Sequence, residues 1–173
     1  MELIHEKLKT IKAFVFDVDG VMTNGSVLAT EDGFFLRNFN IKDGYAIQHA
    51  AKNGYHMAII SGGKSSGIVK RFEMLGIKEI YTGQEHKEAA FNDFLQKFKL
   101  KPSEVLYMGD DMPDIPILKM VGVAACPKDA AIDVLKICNY VSPIKGGNGC
   151  VRDVIEKTMK IHQTWLNDDS HKW

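Results

Sequence analysis

The sequence has few cysteines, no excess of either charge and no long apolar run. Its 173 residues include three cysteines, Cys126, Cys138 and Cys150, with no C-x-x-C pair among them. Free thiols in a reducing cytoplasm are therefore expected, and a zinc site is not. Lysine plus arginine equals aspartate plus glutamate at 22 each, so no basic field indicates nucleic acid as a partner.

Membrane and export signals are also missing from the sequence. The N-terminus lacks the apolar stretch of a signal peptide, and no segment approaches the roughly 18 apolar residues that span a bilayer. We therefore predict a cytoplasmic protein without a membrane partner. The length suits a single domain over residues 1–173, with a mobile tail at 167–173.

Short apolar runs alternate with segments of helical period along most of the chain. Strands are predicted at 13–16, 56–60, 79–81, 105–108 and 121–125, and helices at 43–53, 65–75, 86–98 and 150–165. We expect Asp43 to cap the first of these helices. The alternation predicts an α/β fold, a Rossmann-like doubly wound parallel sheet with helices on both faces.

A β-hairpin at about 26–38 interrupts this alternation after the first strand. Its turn contains Asp32-Gly33, a strong hairpin signal. Phe34, Phe35 and Leu36 are consecutive, and so much apolar surface is unfavourable on an isolated hairpin that is exposed to solvent. Two interpretations follow: the hairpin packs against copies of itself in an oligomer, or it rests as a flap on its own sheet.

Polar residues follow the predicted strands where these end. They are Asp17 and Asp19 after the first strand, Ser61 and Gly62 after the second, Lys87 at a helix start, and Asp110, Asp111 and Asp114 after the fourth. Each of these residues could have a purely structural role, as a helix cap, a turn residue or a solvated lysine. Together they indicate a ligand-binding site, because the carboxyl ends of parallel strands meet at one edge of a sheet, where ligands bind.

Phosphoryl transfer is the chemistry that this set of residues suits. Asp17 and Asp110 can each give an oxygen to Mg²⁺, which prefers oxygen ligands. A lysine and a hydroxyl can hold phosphate oxygens. One carboxylate can attack phosphorus to form an aspartyl phosphate, and a second can move the proton.

Four ordered motifs carry a family resemblance: D-x-D-G-V-x-T, I-S-G, a lone lysine and G-D-D-x-x-D. Together they resemble the haloacid dehalogenase superfamily of phosphatases. The resemblance implies that Asp17 is the nucleophile and that Asp19 is the general acid/base, which also gives its backbone carbonyl to Mg²⁺. It assigns the remaining roles as follows: Ser61 and Lys87 bind the phosphoryl group, Asp110 binds Mg²⁺, and Asp111 and Asp114 support the metal shell or orient Lys87.

A cap domain has no room in this chain, because only about forty residues separate Asp19 from Ser61. The segments 39–45, 61–71 and 146–153 resemble a capless, tetrameric subgroup that acts on 3-deoxy-D-manno-octulosonate 8-phosphate in lipopolysaccharide precursor synthesis. The resemblance implies a homotetramer in which a neighbouring subunit completes the site for the sugar acid phosphate. The residues implied in substrate binding are Lys42, Asp43, Gly62, Arg71 and Arg152.

Two positions depart from related patterns. Phosphatases of nine-carbon sugar acids tend to carry glutamate and lysine where this chain has Gly63 and Met74, which favours the eight-carbon substrate. The family often has arginine after S-G, so Gly63 predicts that one contact is missing or moved. Two alternatives stay open, a phosphatase for an acylneuraminate or KDN-type 9-phosphate and a non-catalytic oligomerising module of a cytidylyltransferase. The intact acidic residues and Lys87 argue against the second alternative.

Overall fold

The computed structural model describes residues 2–167 together with 170 and 171, and its centre is a six-stranded parallel sheet. The strands of the described residues are β1 (Ala13–Phe16), β2 (Leu28–Ala29), β3 (Phe35–Leu36), β4 (His56–Ile60), β5 (Glu79–Tyr81), β6 (Val105–Met108), β7 (Val123–Cys126) and β8 (Tyr140–Val141). Strands β2 and β3 form a separate hairpin, and the other six form the central sheet. The central sheet has the order β5-β4-β1-β6-β7-β8, and its neighbouring strands all pair in parallel. The predicted α/β class is confirmed.

Helices cover both faces of this sheet. They are α1 (Glu2–Lys9), α2 (Ile41–Lys52), α3 (Ser66–Glu73), α4 (Lys87–Phe98), α5 (Ile115–Leu118), α6 (Ile132–Ile137) and α7 (Cys150–Ile161). Because a strand alternates its side chains, Phe14 and Phe16 of β1 join one core cluster and Ala13 and Val15 join the other. Helices α1, α2, α3 and α7 pack on the first face, and α4, α5 and α6 pack on the second.

The predicted start of α2 was wrong. The helix begins at Ile41, and its N-cap is Asn40, whose Oδ1 accepts the backbone N–H of Lys42 at 2.8 Å and that of Asp43 at 3.4 Å. Asp43 therefore lies inside the first turn of the helix. Its carboxylate is free to serve another element, and the site description below shows which one.

The last helix ends earlier than predicted, at Ile161 instead of residue 165. Gln163 adopts a left-handed backbone with φ of 59°, which no helix continues through. The chain turns there, and Trp165 folds back into the core beside Tyr45 and His49. The predicted mobile tail at 167–173 falls partly outside the described residues. Of its described members, Asn167 donates to Asn53, and the carbonyl of Ser170 accepts the hydroxyl of Tyr45.

The hairpin stands apart from the central sheet. Leu28 pairs with Leu36 and Ala29 with Phe35 in antiparallel register. Its apolar side chains stay exposed in the single chain, with 66% of Leu28, 65% of Phe34 and 61% of Phe35 open to solvent. The chain from Asp19 to Ser61 consists of this hairpin, α2 and β4, so the described residues there build no cap domain. None of the described helices combines the length and apolar character that crossing a membrane requires.

Candidate active site

A cleft of about 470 Å³ opens at the carboxyl-terminal edge of the sheet, above β1, β4 and β6. Eight of the residues predicted for the site line it: Asp17, Asp19, Ser61, Gly62, Lys87, Asp110, Asp111 and Asp114. They arrive from four separate stretches of sequence, because the parallel strands that carry them end at the same edge. The predicted convergence of these motifs is therefore present in the structure.

Lys87 links two carboxylates at the bottom of the cleft. Its Nζ lies 2.7 Å from Oδ1 of Asp17 and 2.7 Å from Oδ1 of Asp114. The lysine is buried, with 4% of its surface exposed. Burial alone would lower the pKa of Lys87, but the two carboxylates raise it above the ordinary value. Lys87 is thus a fixed cation, suited to holding an anionic oxygen beside Asp17.

Asp114 is engaged on all sides by the protein. Its Oδ1 accepts the hydroxyl of Tyr107 as well as Lys87. Its Oδ2 accepts the backbone N–H of Asp110 at 3.0 Å and of Asp111 at 3.3 Å. Asp114 therefore orients Lys87 and fixes the loop that carries Asp110. Sequence reasoning missed Tyr107, because an aromatic residue in the middle of a buried strand is indistinguishable from ordinary core.

The carboxylates of the cleft form a group that fits a divalent cation. Oxygen atoms of Asp17, Asp110 and Asp114 lie within 4.8 Å of one another. Burial and the nearby Asp114 raise the pKa of Asp17, and the same two causes raise the pKa of Asp110 to about 7. A hard cation with oxygen ligands, such as Mg²⁺, would relieve this repulsion. Since Asp114 is bound elsewhere, Asp17 and Asp110 have the oxygens best placed to serve it.

Asp19 faces a partner that the sequence did not reveal. Nε of Arg37 lies 2.6 Å from Oδ1 of Asp19, and Nη2 lies 3.0 Å from Oδ2. Arg37 follows β3 at the base of the hairpin, eighteen positions along the chain. A lone arginine in such a segment carries no pattern that would single it out, so only the tertiary structure shows the pair.

Ser61 lies at the end of β4 with 1% of its surface exposed. Its Oγ accepts the backbone N–H of Gly63 at 3.2 Å, and its own N–H donates to the carbonyl of Tyr81 at 2.8 Å. The hydroxyl is therefore held at the wall of the cleft, where its own hydrogen is free to meet an anion.

A second cavity, of about 680 Å³, lies between the hairpin and the start of α3. Three cations line it, Arg37, Lys64 and Arg71, and none of the described residues in its lining is acidic. Ser65 and Ser66 add hydroxyl groups at the start of the helix. We refer to this space as the cationic cavity. Arg37 belongs to its wall and to the Asp19 pair, so the cavity adjoins the cleft.

Lys42 and Arg152 lie elsewhere, in a cavity of about 520 Å³ between α2 and α7. The guanidinium of Arg152 packs 5.3 Å from the ring centre of Trp165 and 5.7 Å from that of Tyr45. Its Nε also donates to Glu156 at 3.0 Å. Within one chain, neither residue reaches the lining of the cleft, so their predicted contact with substrate stays a prediction.

Asp43 is placed in the interior, with 2% of its surface exposed. Its Oδ1 accepts the backbone N–H of Arg152 at 2.7 Å, at the start of α7. Burial raises the pKa of this carboxyl to about 6, although the N–H groups at the helix start lower it in part. Asp43 thus joins α2 to α7 in this chain.

The fold and the cleft together define a phosphohydrolase whose candidate nucleophile is an aspartate at the end of the first sheet strand. The family of haloacid dehalogenase-like hydrolases matches residues 34–122. The chain belongs to the 3-deoxy-D-manno-octulosonate 8-phosphate phosphatases within this group, and it is a phosphoric monoester hydrolase.

Three similar proteins illustrate this relationship. The 3-deoxy-D-manno-octulosonate 8-phosphate phosphatase KdsC of Escherichia coli K12 is 37% identical over 150 residues, which cover 87% of this chain and 80% of that protein. The crystal structure of the Yersinia pestis phosphatase matches with a TM-score of 0.91 and 33% identity, over 93% of this chain and 87% of that one. The Moraxella catarrhalis phosphatase, in complex with magnesium, phosphate and KDO, matches with a TM-score of 0.90 and 30% identity, over 99% and 95% of the two chains.

Proposed function

We propose that this protein is a Mg²⁺-dependent phosphatase that hydrolyses 3-deoxy-D-manno-octulosonate 8-phosphate in lipopolysaccharide precursor biosynthesis. The observation that carries this proposal is the buried bridge from Asp17 through Lys87 to Asp114, beside Asp110 and next to a cationic cavity. The similar Escherichia coli, Yersinia pestis and Moraxella catarrhalis proteins bear the name of this activity. We propose one domain, 1–173, for the whole reaction.

The reaction proceeds in two steps on the chain's own residues. Asp17 attacks phosphorus, the bond to the sugar oxygen breaks, and the departing alkoxide takes a proton from Asp19. Water then attacks the aspartyl phosphate and gives a proton to Asp19, which regenerates Asp17 and releases phosphate. Lys87 and Ser61 hold the phosphoryl oxygens throughout.

Mg²⁺ would be held by Asp17, by Asp110 and by the backbone carbonyl of Asp19, with Asp111 supporting its shell. When bound, it neutralises charge on the ester and on the carboxylates. Asp114 acts differently, because its oxygens are already occupied by Lys87, Tyr107 and two backbone N–H groups.

The cationic cavity takes the organic part of the ester. Its three cations suit a sugar acid, since the carboxylate of the substrate is the group that needs them. Arg71 contacts the substrate from α3, and Gly62 approaches it through its backbone. Lys42 and Arg152 would act in an assembled enzyme, with Arg152 facing the site of a neighbouring subunit. Asp43 is buried and accepts the backbone N–H of Arg152, so its part would be to position Arg152 and not to touch the substrate.

The assembly we propose is a homotetramer built on the hairpins. Leu28, Phe34 and Phe35 are more than half exposed in the single chain, and burial of such side chains stabilises an interface by roughly 25 cal/mol per Å². Light scattering should give four times the mass of the chain, and Phe35→Asp should lower it. An unchanged tetramer in that variant would rule out the hairpin as its interface. We propose a cytoplasmic location, where free thiols such as Cys126 and Cys150 persist.

Turnover on a matched panel of esters tests the proposed substrate. The panel is 3-deoxy-D-manno-octulosonate 8-phosphate, N-acetylneuraminate 9-phosphate and a neutral hexose phosphate, each with Mg²⁺ and with EDTA. We expect Mg²⁺-dependent turnover with the highest kcat/KM on the eight-carbon ester. A higher value on the nine-carbon ester would move the assignment to that substrate. Absence of metal-dependent turnover, with a stable complex to a cytidylyltransferase, would instead establish an oligomerising module.

A further inference from the structure

Arg37 occupies both oxygens of the residue that we propose as the general acid. Its two contacts with Asp19, at 2.6 and 3.0 Å, form a bidentate pair of the kind that guanidinium groups make with carboxylates. The side chain of Arg37 is only 10% exposed, although the hairpin strands before it are open to solvent. The pair engages both oxygens of Asp19, so a leaving group has to compete with Arg37 for them.

Gly63 has no side chain, and this leaves room for the guanidinium of Arg37 beside Asp19. A β-carbon at this position would lie 3.0 Å from Nη2 of Arg37 and 3.3 Å from Oδ2 of Asp19. The first distance is tighter than most packing contacts, so a side chain at 63 would require the guanidinium to shift by a few tenths of an ångström.

Arg37 also stands on the boundary between the cleft and the cationic cavity. It lines the cavity together with Lys64 and Arg71, and its guanidinium reaches Asp19 in the cleft. A phosphate ester with its phosphoryl group at Lys87 and its organic part in the cavity must pass beside this guanidinium. The two groups that compete for Arg37 are thus Asp19 and any anion on the organic part.

We propose that Arg37 is a specificity-determining residue. In the free enzyme it pairs with the carboxylate of Asp19, and when a sugar acid ester binds it pairs with the carboxylate of the ester instead. The exchange replaces one bidentate carboxylate by another, so it costs little, and it frees Asp19 for proton transfer. A neutral ester has no carboxylate to take the place of Asp19, so Asp19 stays paired with Arg37. The inference rests on the proposed function for the role of Asp19, but not on the eight-carbon identity of the substrate.

Two six-carbon esters that differ in one group provide the test. Gluconate 6-phosphate carries a carboxylate at carbon 1, and sorbitol 6-phosphate carries a neutral hydroxymethyl group there. We expect the wild-type enzyme to prefer the acid by about tenfold or more in kcat/KM. In Arg37→Ala the preference should be largely lost, with a higher KM for the acid and a higher kcat for the alcohol. Arg37→Lys should restore part of it, because lysine keeps the charge without the paired geometry.

A double-mutant cycle separates this role from a merely structural one. Gly63→Ala should reduce the preference when Arg37 is present and should change nothing further in the Arg37→Ala background. Melting temperatures of the four proteins check that each variant folds. An equal loss on both esters, an unchanged preference in Arg37→Ala, or additive effects of the two substitutions would each overturn the proposal.

A binding measurement keeps the proposal testable without turnover. In the Asp17→Asn background with Mg²⁺, calorimetry should show tighter binding of gluconate 6-phosphate than of sorbitol 6-phosphate, and Arg37→Ala should remove the difference. Equal binding of the two esters by Asp17→Asn would refute the exchange. If the wild-type enzyme favours gluconate 6-phosphate over the eight-carbon ester, the proposed substrate fails while the role of Arg37 stands.

Discussion

Gly20 forms the surface against which Asp110 rests. A β-carbon on Gly20 would lie 2.0 Å from Oδ2 of Asp110, so any other residue would displace that carboxylate. Gly20 also has φ of +91°, a backbone conformation that side chains rarely adopt. The glycine of the first motif is thereby fitted to the aspartate of the fourth, ninety positions away along the chain.

Gly20→Ala should therefore damage the metal site beyond its effect on backbone strain. Gly54→Ala is a matched control, since Gly54 has φ of +84° and no atom within 4 Å of its β-carbon position. We expect both variants to lose about 1 kcal/mol of stability from strain, and only Gly20→Ala to lose Mg²⁺ affinity and turnover, by about 100-fold. Mg²⁺ titration by calorimetry measures the difference. Equal Mg²⁺ affinities in the two variants would contradict the fit between Gly20 and Asp110.

Asp17→Asn should abolish turnover while the fold stays intact. The amide cannot attack phosphorus, and we expect a loss of about 10⁴-fold or more in kcat. Because the substitution removes one charge from a crowded group of buried carboxylates, the melting temperature should not fall by more than a few degrees. Steady-state assays and thermal denaturation check the two outcomes. Retained turnover would refute Asp17 as the nucleophile.

Mg²⁺ binding should release protons near neutral pH. The pKa of Asp110 is raised to about 7 by burial and its acidic neighbours, and that of Asp17 is raised by burial and Asp114. A carboxyl with a raised pKa keeps its proton to higher pH in the metal-free protein and must lose that proton to bind the cation. Mg²⁺ affinity should therefore rise from pH 6 to pH 8, about tenfold per unit for each proton released. Calorimetry in buffers of different ionisation enthalpy counts these protons, and a flat affinity over this range would contradict the raised pKa values.

Asp43 should make the protein less stable as the pH rises from about 4 to 6. Its pKa is about 6 in the folded protein against an ordinary value of 3.8, because the carboxyl is buried. In this window the unfolded chain loses the proton and the folded chain keeps it, so ionisation favours unfolding, and the penalty persists above pH 6. Asp43→Asn keeps an acceptor for the N–H of Arg152 but has no proton to lose.

The free energy of unfolding of Asp43→Asn, relative to wild type, should thus increase by about 2.5 kcal/mol between pH 4 and pH 7. Urea denaturation at a series of pH values measures this change. Asp133→Asn removes the same charge from an exposed position of α6 and serves as the control. A constant difference between Asp43→Asn and wild type would show that burial does not hold the proton on Asp43.

The sheet and the catalytic edge were predictable from the sequence because they depend on local patterns. The four residues of β1 and the four of β6 are aliphatic, aromatic or methionine and fully buried, and the carboxylates of Asp17 and Asp110 follow shortly after each run. Strand ends, turn glycines and helix periods are local features. The topology of a parallel sheet then brings its strand ends together without further information.

Other features depended on partners that are distant in sequence. Asp43 and Asn40 are equally good helix caps by residue type. In the structure Asn40 caps α2, whereas the carboxylate of Asp43 accepts the N–H of Arg152 at the start of α7. Tyr107 sits in a core strand, and only the position of Asp114 gives its hydroxyl a partner. Such roles arise from side-chain distances across the fold, and a one-dimensional pattern does not contain them.

The sequence by itself determined the class of reaction, since the order and spacing of its carboxylates, hydroxyl and lysine suit one kind of chemistry. The tertiary structure decided how that chemistry is controlled. It places the guanidinium of Arg37 on Asp19 and leaves Gly63 bare beside it, a relationship among three distant stretches of chain. The physical reason is that catalytic groups follow the strand ends, whereas their partners are selected by packing, which acts through space and not along the chain.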